Sequence, residues 1–435
     1  MLRSVFVSLL MLLTLSALAA EVQILNGGRE SLKIRLDLMQ KAEKEILISY
    51  FIFADDESSR VFLAELRSAA RRNIKIEILV DNMFNDVSPA LITHLKDEGI
   101  DFRVYNKMTW KNFWHFSHRM HDKVFMVDGK TVILGGRNIE NSYFDQSDGK
   151  KNYYDRDILV RGAPVAELRT YFQELWNSKN VYASKILNVT KEKNQLLVEA
   201  AVKSLDEAKA SELFQEELFQ EQDQLVEVKD ESVTLTHDLV TLVKPKVSGT
   251  AKALFDLINS AKYSIYLDSP YFIMTKQMKA HLKAAIARGV KIRLTTNSPK
   301  STDGVFPLGG YIGRRKQIAR MGIEVYEFYG DYSFHAKSMV IDERIAAVGS
   351  FNFDPRSQIL NTETMAIVED ETVAAQLLEG MNETLAQCYR LDENGRPEGH
   401  AVKYPGVSKK KIFITKLIQF LFVPLARKQL APPSI

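Results

Sequence analysis

The chain has 435 residues, of which 46% are hydrophobic and 26% are charged. This globular composition excludes a disordered or collagen-like protein, and the length is sufficient for two or three domain cores. A single cysteine, Cys388, excludes an internal disulfide framework and a zinc site built from several thiolates. The formal net charge is +3, but basic residues concentrate at the C-terminus and leave the body acidic, which argues against a general nucleic-acid-binding protein.

The first predicted element, residues 1–19, is a signal peptide for export. Arg3 precedes an uncharged apolar stretch from Val5 to about Ala17, and small residues form an A-x-A cleavage site after Ala19. An uncleaved membrane anchor is the alternative, although the apolar stretch is shorter than the roughly 20 residues of a spanning helix. We therefore expect an exported protein, periplasmic or secreted and peripherally associated with a membrane.

The body of the chain repeats one order of elements. A helix end followed by an apolar strand occurs three times in each half, at 41–53, 70–79 and 97–105, and again at 260–274, 286–294 and 320–328. Stretches with helical periodicity lie between these strands, which is typical of α/β units. We predict an N-terminal half at 20–185 and a C-terminal half at 249–400, joined by a mostly helical connector at 186–248.

The last segment, residues 401–435, carries seven basic residues and no acidic one. A helix here would place Lys411, Thr415 and Gln419 on a polar stripe. Its wide apolar face would consist of Ile412, Phe413, Leu417, Phe420, Leu421 and Leu425. The apolar run is too short to span a bilayer, so we predict an amphipathic tail that binds an anionic membrane surface. The alternative is a helix packed on the protein's own core.

Each half ends with the same polar motif, His-x-Lys-x4-Asp-x6-Gly-[Gly/Ser]-x-Asn, beginning at His121 and at His335. The histidine and the lysine share a strand face, whereas the aspartate begins a turn and is expected to hold it. The other matching pairs are Lys123 and Lys337, Asp128 and Asp342, Gly135 and Gly349, Gly136 and Ser350, and Asn138 and Asn352. Two complete copies at identical spacing indicate a functional site, not an incidental surface histidine.

Both motif copies resemble those of the phospholipase D superfamily, and residues 119–144, 297–304 and 335–363 resemble bacterial cardiolipin synthases of the C type. The resemblance implies an α/β fold of two pseudo-two-fold-related halves, each a mixed β-sheet flanked by helices, with one shared active site at their interface. It also implies that a carboxylate orients each histidine. Aligning the strands that follow the motifs selects Asp155 and Glu363, with Asp157 as the fallback and a strand-end salt bridge as the alternative reading.

A pair of histidines on opposite sides of phosphorus can exchange the alcohol of a phosphodiester. One attacks to form a phosphohistidine, and the other protonates the leaving alcohol and then deprotonates the acceptor. By resemblance, His121 is the nucleophile. Lys123 and Lys337 can neutralise the non-bridging oxygens, and Asn138 and Asn352 can donate hydrogen bonds to them.

The residues around these pairs have supporting or incidental roles. The small residues Gly135, Gly136, Gly349 and Ser350 are expected to allow close backbone approach. We expect no cofactor and no metal: His115 and His118 precede the first motif, but no Asp, Glu and His set accompanies them at ligand spacing, so we interpret them as incidental.

The predicted function is a phosphatidyltransferase that acts on phospholipid phosphodiesters through a phosphohistidine. The resemblance implies cardiolipin synthesis, with phosphatidylglycerol, phosphatidylethanolamine or both as substrates. The main alternative is a secreted phospholipase D in which water is the acceptor. A phosphodiesterase nuclease is disfavoured by the acidic body and the apolar tail, so no nucleic-acid partner is expected. A lipid-binding scaffold without activity is disfavoured because both motifs are complete.

Overall fold

The computed structural model describes residues 19–107, 117–147, 152–211, 225–239, 248–302, 304–400 and 404–421. Most of the predicted signal peptide and His115 lie outside these ranges. So do the acidic stretch at 212–224 in the connector and the last part of the basic tail.

The first sheet has nine strands in the described part of the chain, in the order β10-β1-β8-β6-β5-β2-β3-β4-β9. Strands β2, β3 and β4 are parallel and the other pairings are antiparallel, so the sheet is mixed. The strands are β1 Ala19–Leu25, β2 Glu45–Tyr50, β3 Lys75–Asp81, β4 Ile100–Tyr105, β5 Lys123–Val127, β6 Thr131–Gly135, β7 Tyr153–Tyr154 (outside this sheet), β8 Asp157–Arg161, β9 Val181–Ala183 and β10 Val226–Lys229. The accompanying helices are α1 Gly28–Lys41, α2 Glu57–Arg71, α3 Pro89–Asp97, α4 Val165–Trp176 and α5 Glu192–Lys209.

The second sheet has eight described strands in the order β11-β18-β17-β16-β12-β13-β14-β19, of which β12, β13 and β14 are parallel. The strands are β11 Val233–His237, β12 Ser264–Asp268, β13 Lys291–Asn297, β14 Ile323–Phe328, β15 Ser333–Phe334 (outside this sheet), β16 Ser338–Ile341, β17 Ile345–Gly349, β18 Thr364–Glu369 and β19 Cys388–Arg390. The helices are α6 Gly249–Ser260, α7 Lys276–Ala287, α8 Val305–Ile312, α9 Arg315–Ala319, α10 Pro355–Ile359, α11 Glu371–Leu385 and α12 Lys409–Leu421.

The two sheets pack face to face and are related by a pseudo-two-fold. The order β8-β6-β5-β2-β3-β4 in the first sheet corresponds to β18-β17-β16-β12-β13-β14 in the second, with the same parallel and antiparallel pairings. The shared core includes Val132 and Leu134 of one half and Val348 and Ala366 of the other. The predicted α/β fold, with two mixed sheets in pseudo-two-fold-related halves, is confirmed.

Helices cover the outer face of each sheet and form a separate core there. Apolar side chains of α1, α2, α3 and α5 pack on the first sheet, and those of α6, α7, α8 and α9 pack on the second. Strand β2 is therefore buried on both faces, which explains its nearly continuous apolar sequence. Helix α2 begins after Asp56, whose carboxylate accepts a hydrogen bond from the Ser59 N–H.

In the described part of the connector, strands accompany the helix that the sequence predicts. Helix α5 is present, but the later part adds β10 to the edge of the first sheet beside β1, and β11 to the second sheet beside β18. Strand β11 occupies the position that β1 holds in the first sheet, so the repeat begins before residue 249. Four or five residues of alternating pattern are too few to distinguish such short strands by sequence.

Helix α12 lies against α8, and two residues of the predicted polar stripe, Lys411 and Thr415, face the protein. Thr415 is buried, and Lys411 Nζ donates hydrogen bonds to the carbonyls of Lys300 (3.3 Å) and Thr302 (3.0 Å). Large apolar side chains face solvent instead, with Phe413 68% and Phe420 78% exposed. Within the described ranges, no helix combines the length and apolar character needed to cross a membrane.

Candidate active site

The two motifs meet where the halves join, so that both histidines belong to one site. His121 precedes β5, and its backbone N–H donates to the carbonyl of Thr362 in the other half (3.1 Å). His335 follows β15, which pairs in parallel with β7 of the first half, and its N–H donates to the carbonyl of Tyr154 (2.7 Å). Equivalent backbone bonds thus hold both histidines against the opposite half.

Each histidine is bonded to a carboxylate from the other half. His121 Nδ1 lies 2.9 Å from Glu363 Oε2, and His335 Nδ1 lies 2.6 Å from Asp155 Oδ2. Both carboxylates are fully buried, and each bond fixes the orientation of its imidazole ring. The fallback residue Asp157 is bound elsewhere, with Oδ2 3.0 Å from Arg35 Nη2. Neither half alone contains a complete histidine–carboxylate pair.

Burial and neighbouring charges shift the pKa values of His121, Lys123 and Asp155. Burial, followed by the charges of Lys123 and Lys337, lowers the pKa of His121 well below its usual value. Burial also lowers the pKa of Lys123 to about 7, although Glu363 opposes this effect. Burial alone would raise the pKa of Asp155, but Lys337 and His335 hold it below its ordinary value. At neutral pH, His121 is therefore neutral and Asp155 is ionised.

The two motif lysines are buried beside their histidines. Lys123 Nζ donates to the His121 carbonyl (2.6 Å) and lies 5.1 Å from the centre of the Phe51 ring. Lys337 Nζ donates to the His335 carbonyl and lies 3.7 Å from Asp155 Oδ2. When both lysines are protonated, which for Lys123 requires a pH below its pKa of about 7, they make with the two imidazoles a cationic centre that suits a phosphate ester.

The motif asparagines are nearly buried at the same place. Asn138 Oδ1 accepts a hydrogen bond from the Ile52 N–H (3.1 Å), so its NH2 group points elsewhere and can donate. The position of Asn352 is fixed by its backbone N–H, which donates a hydrogen bond to Ser357 Oγ (3.1 Å). Among the described residues, the side-chain oxygen Oδ1 of Asn352 has no hydrogen-bond partner, so no protein donor fixes the amide through this atom.

The small residues of the motif support the carboxylates in two different ways. A Cβ atom on Gly136 would overlap the Asp155 carboxylate, so only glycine allows that carboxylate to reach His335. A Cβ on Gly135 or Gly349 would likewise collide with the neighbouring strand. Ser350 occupies the place of Gly136 in the second half, and its hydroxyl donates a hydrogen bond to Glu363 Oε2. The sequence predicted only that a small residue here would allow close backbone approach, and not this hydrogen bond.

The motif aspartates lie at the far end of the hairpins, away from the histidines. Both have left-handed backbone conformations, with φ of 55° at Asp128 and 52° at Asp342. Their carboxylates accept backbone N–H bonds from Glu43, Lys44 and Glu45 in the first half and from Lys262, Tyr263 and Ser264 in the second. They tie each hairpin turn to the start of the first parallel strand, as expected of turn residues.

Aromatic residues around the histidines were missed by sequence reasoning. The ring centre of Phe51 lies 4.8 Å from that of His121, and the rings of Tyr143 and Tyr153 lie 5.4 and 5.3 Å from that of His335. Tyr153 precedes Asp155 by two residues, which is the one sequence signal that could have identified it. His118 contributes a carbonyl, which accepts from Asn106 Nδ2 (2.6 Å).

A buried ion pair also joins the halves beside the site. Arg156, which follows Asp155, forms a salt bridge with Asp268 of the second sheet, and both side chains are fully buried. Its guanidinium also donates to the Gly380 carbonyl (2.7 Å) and to Thr384 Oγ1 (3.2 Å). These contacts fix the segment between β7 and β8, which carries Asp155, relative to the second half.

Known proteins share both the sequence and the fold. The family described as cardiolipin synthase, phospholipase D-like domain matches residues 36–176 and 254–385, one segment in each half with its own motif. Cardiolipin synthase C of Escherichia coli (strain K12) is 28% identical over 391 residues, which cover 80% of this chain and 81% of that protein. An uncharacterized protein of Helicobacter pylori (strain ATCC 700392 / 26695) is 27% identical over 405 residues, covering 85% and 80%.

The fold comparison agrees with these matches. The crystal structure of phosphatidylserine synthase from Haemophilus influenzae Rd KW20 aligns with a TM-score of 0.68 at 16% identity, covering 94% of this chain and 93% of that one. With a family match in each half and the same two-sheet fold, the chain belongs to the cardiolipin synthase family of phospholipase D superfamily enzymes.

Proposed function

We propose that the protein is a phosphatidyltransferase that makes cardiolipin through a phosphohistidine intermediate. The observation that carries this proposal is the pair of histidines in one site, each with Nδ1 bound to a buried carboxylate of the opposite half. The similarity to E. coli cardiolipin synthase C supports the choice of phospholipid substrates.

His121 is assigned the role of nucleophile because it is neutral at physiological pH. A neutral imidazole whose Nδ1–H donates to Glu363 presents its Nε2 lone pair to phosphorus. The P–Nε2 bond forms as the bond from phosphorus to the headgroup oxygen breaks. The imidazole then carries a positive charge, which the adjacent Glu363 carboxylate stabilises.

His335 is assigned the role of acid and then base. In this assignment His335 carries a proton on Nε2 before the first step, and the ionised Asp155, 2.6 Å from Nδ1, holds the ring in place. Nε2 gives its proton to the leaving alcohol, and in the second step it accepts the proton of the incoming alcohol. Lys123, Lys337 and the two motif asparagines surround the non-bridging oxygens, whose charge they offset.

The proposed substrates are phosphatidylglycerol, phosphatidylethanolamine or both, and the test is mass spectrometry of lipids. Purified full-length protein is incubated with vesicles of phosphatidylglycerol, alone and mixed with phosphatidylethanolamine. We expect cardiolipin in wild type and none with His121→Ala or His335→Ala. His281→Ala is the matched control, because this histidine lies on α7 beside Asn259. Phosphatidic acid without cardiolipin would favour the phospholipase D alternative, and unchanged lipids would refute both.

The nucleophile can be identified with a donor that needs no acid. The ester phosphatidyl-p-nitrophenol has a good leaving group, so His335→Ala should still form the covalent intermediate but resolve it slowly. We expect mass spectrometry of the quenched variant to find the phosphatidyl group on His121. A modified His335 in the reciprocal variant, His121→Ala, would reverse the assignment.

The proposal includes a peripheral membrane contact through α12. The exposed Phe413 and Phe420 accompany the exposed side chains of Lys409, Lys410 and Lys416, and a surface that is both apolar and basic suits an anionic bilayer. Inserting each phenylalanine contributes about 2 kcal/mol. Binding to phosphatidylglycerol vesicles should therefore weaken by about 100-fold or more with Phe413→Ser/Phe420→Ser, and also as salt rises.

A matched control separates membrane contact from a general effect on the surface. Tyr263 is an aromatic residue with 72% exposure near the start of β12, and Tyr263→Ser should leave vesicle binding unchanged. Vesicle binding by Phe413→Ser/Phe420→Ser equal to that of wild type would contradict the membrane contact.

Export remains part of the proposal. Residues 1–19 are proposed as a cleaved signal, which places the mature enzyme outside the cytoplasmic membrane. N-terminal sequencing of protein recovered from producing cells should give Ala20 as the first residue. Recovery of the chain from the cytosol with Met1 intact would contradict export.

A further inference from the structure

The helical layer of the second half has a positive charge that the first half lacks. Between the end of β12 and the start of β14, residues 269–322 include eleven Lys or Arg residues and one acidic residue. The equivalent part of the first half, residues 51–99 between β2 and β4, includes six Lys or Arg residues and nine acidic residues. Because the two halves share one fold and one active site, neither the fold nor the chemistry accounts for this difference.

Part of this charge surrounds a groove of about 510 Å³ between α7 and α9. Lys279 and Lys283 line this basic groove from α7. Lys316 of α9 and Arg320, directly after α9, line it from the other side. Lys279 is half-buried and the other three residues are exposed. In the part of the chain that the structure describes, no carboxylate lines the groove, so it is cationic on both sides.

The four cations of the basic groove receive no counter-charge from the protein. Within the described ranges, none of their side chains forms an ion pair or a hydrogen bond. On each side of the groove the two residues are four apart, a spacing at which like charges on a helix repel each other. Arg67 and Arg71 of α2 in the first half have the same spacing, but they pair with Asp206 and Glu98. An anion in the groove would supply the missing counter-charge.

The surroundings of the basic groove favour the phosphates of a bilayer as its partner. Gly313, which lines the groove, directly follows α8, the helix against which α12 lies. The groove and the exposed Phe413 and Phe420 of α12 are therefore both next to α8. Cations beside exposed apolar side chains suit an anionic bilayer. A single-stranded nucleic acid would instead stack its bases on aromatic side chains, and none of the described residues that line the groove is aromatic.

We propose that the basic groove binds the headgroup phosphates of an anionic phospholipid bilayer. The inference rests on the proposed function, in which the substrates are lipids of a bilayer, and it adds a second contact to the one proposed for α12. A single helix on a bilayer leaves the protein free to rotate about the helix axis, whereas two separate contacts fix its orientation. The groove thus sets how the junction of the two halves, and with it the active site, faces the lipid.

The test measures binding of the full-length protein to phosphatidylcholine vesicles with and without phosphatidylglycerol, at several salt concentrations. Two variants each remove two charges from the basic groove. Lys279→Gln/Lys283→Gln changes the α7 side, and Lys316→Gln/Arg320→Gln changes the α9 side. Glutamine has nearly the same helix propensity as lysine and arginine, so these substitutions remove charge and preserve the helices.

We expect each groove variant to bind phosphatidylglycerol vesicles about 30-fold more weakly than wild type, from the loss of two charges near an anionic surface. Binding should also become less sensitive to salt. The melting temperature and the cleavage of a water-soluble, short-chain phosphatidyl-p-nitrophenol should not change. Lys44→Gln/Lys130→Gln is the matched control, because both lysines are exposed and lie near Asp128 at the turn between β5 and β6. This control changes the net charge equally and should bind within about threefold of wild type.

The outcomes separate this inference from the proposed function. Groove variants that bind vesicles like wild type, or no more weakly than Lys44→Gln/Lys130→Gln, would overturn the role of the basic groove. Tight binding of a single-stranded oligonucleotide that the groove variants lose, while they still bind vesicles, would also overturn it and make nucleic acid the partner. Weak vesicle binding by the groove variants, in a protein whose wild type makes no cardiolipin, would refute the proposed function and support the groove.

Discussion

Replacing Glu363 with glutamine removes the negative charge beside His121 while preserving the shape of the side chain. A neutral His121 can still donate Nδ1–H to the amide oxygen, so the ground state changes little. The new NH2 group would face Asn361 Nδ2, which lies 3.3 Å from Glu363 Oε1. Because Asn361 Oδ1 has no hydrogen-bond partner within the described ranges, a flip of the Asn361 amide would accept the new donor and keep the fold intact.

The size of the effect follows from the geometry of the pair. His121 becomes positive when Nε2 bonds to phosphorus, and its Nδ1 lies 2.9 Å from Glu363 Oε2. Two unit charges about 4 Å apart interact by about 4 kcal/mol at an effective dielectric constant of about 20. The amide retains part of this as a neutral hydrogen bond, so we expect a loss of about 2–3 kcal/mol. That corresponds to a rate about 30- to 150-fold lower.

Single-turnover kinetics with phosphatidyl-p-nitrophenol measure this step directly. Glu363→Gln should reduce the rate of the p-nitrophenolate burst, with little change in KM or in melting temperature. Glu369→Gln is the matched control, because Glu369 ends β18, which begins directly after Glu363, and is exposed and paired with Arg344. A burst rate within threefold of wild type would refute the assigned role of Glu363. A slow burst accompanied by a large drop in melting temperature would point to misfolding.

Three further predictions concern charge in the site and the junction between halves. Lys123 is charged below a pKa of about 7 and neutral above it, so kcat/KM should fall as pH rises through 7. Lys123→Arg should move this fall to higher pH. A kcat/KM profile that is flat from pH 6 to 9 would contradict the assignment. Excess EDTA should leave the rate nearly unchanged, because lysines supply the positive charge, and a loss restored specifically by zinc or calcium would refute this. Arg156→Met leaves Asp268 buried without its salt-bridge partner and should lower the free energy of unfolding in urea by about 3–5 kcal/mol. Adding Asp268→Asn to the same chain should restore part of this loss. Additive effects of the two substitutions would argue against coupling between the residues.

The sequence predicted the site well where identical spacing carried the information. The repeated motif placed His121 and His335 at equivalent positions, and aligning the following strands selected Asp155 and Glu363, which the structure brings to the histidines. Spacing along a strand constrains register strongly, because a shift by one residue turns every side chain to the opposite face. The fallback Asp157 lies two residues further along, at the start of β8, and binds Arg35 in place of a histidine.

Other features of the site depend on how the two halves pack together, so the spacing of residues along the sequence could not predict them. The sequence did not indicate that each carboxylate would cross to the histidine of the opposite half. Ser350 matched Gly136 by position, but its bond to Glu363 depends on a hydroxyl that the glycine lacks. Strands β10 and β11 were missed because their pairing with β1 and β18 supplies the stabilisation that their short sequences do not.

The crosswise pairing makes docking of the halves a condition for chemistry. An undocked half would expose a histidine without its carboxylate and a lysine without a compensating charge, and the ordinary solution pKa values would return. Docking removes water and sets these charges together, because Asp155, which binds His335, is followed directly by Arg156, which binds Asp268. Structural and catalytic contacts are therefore adjacent in sequence. A substitution that loosens the junction should lower activity before it unfolds either sheet, since each sheet has its own outer core.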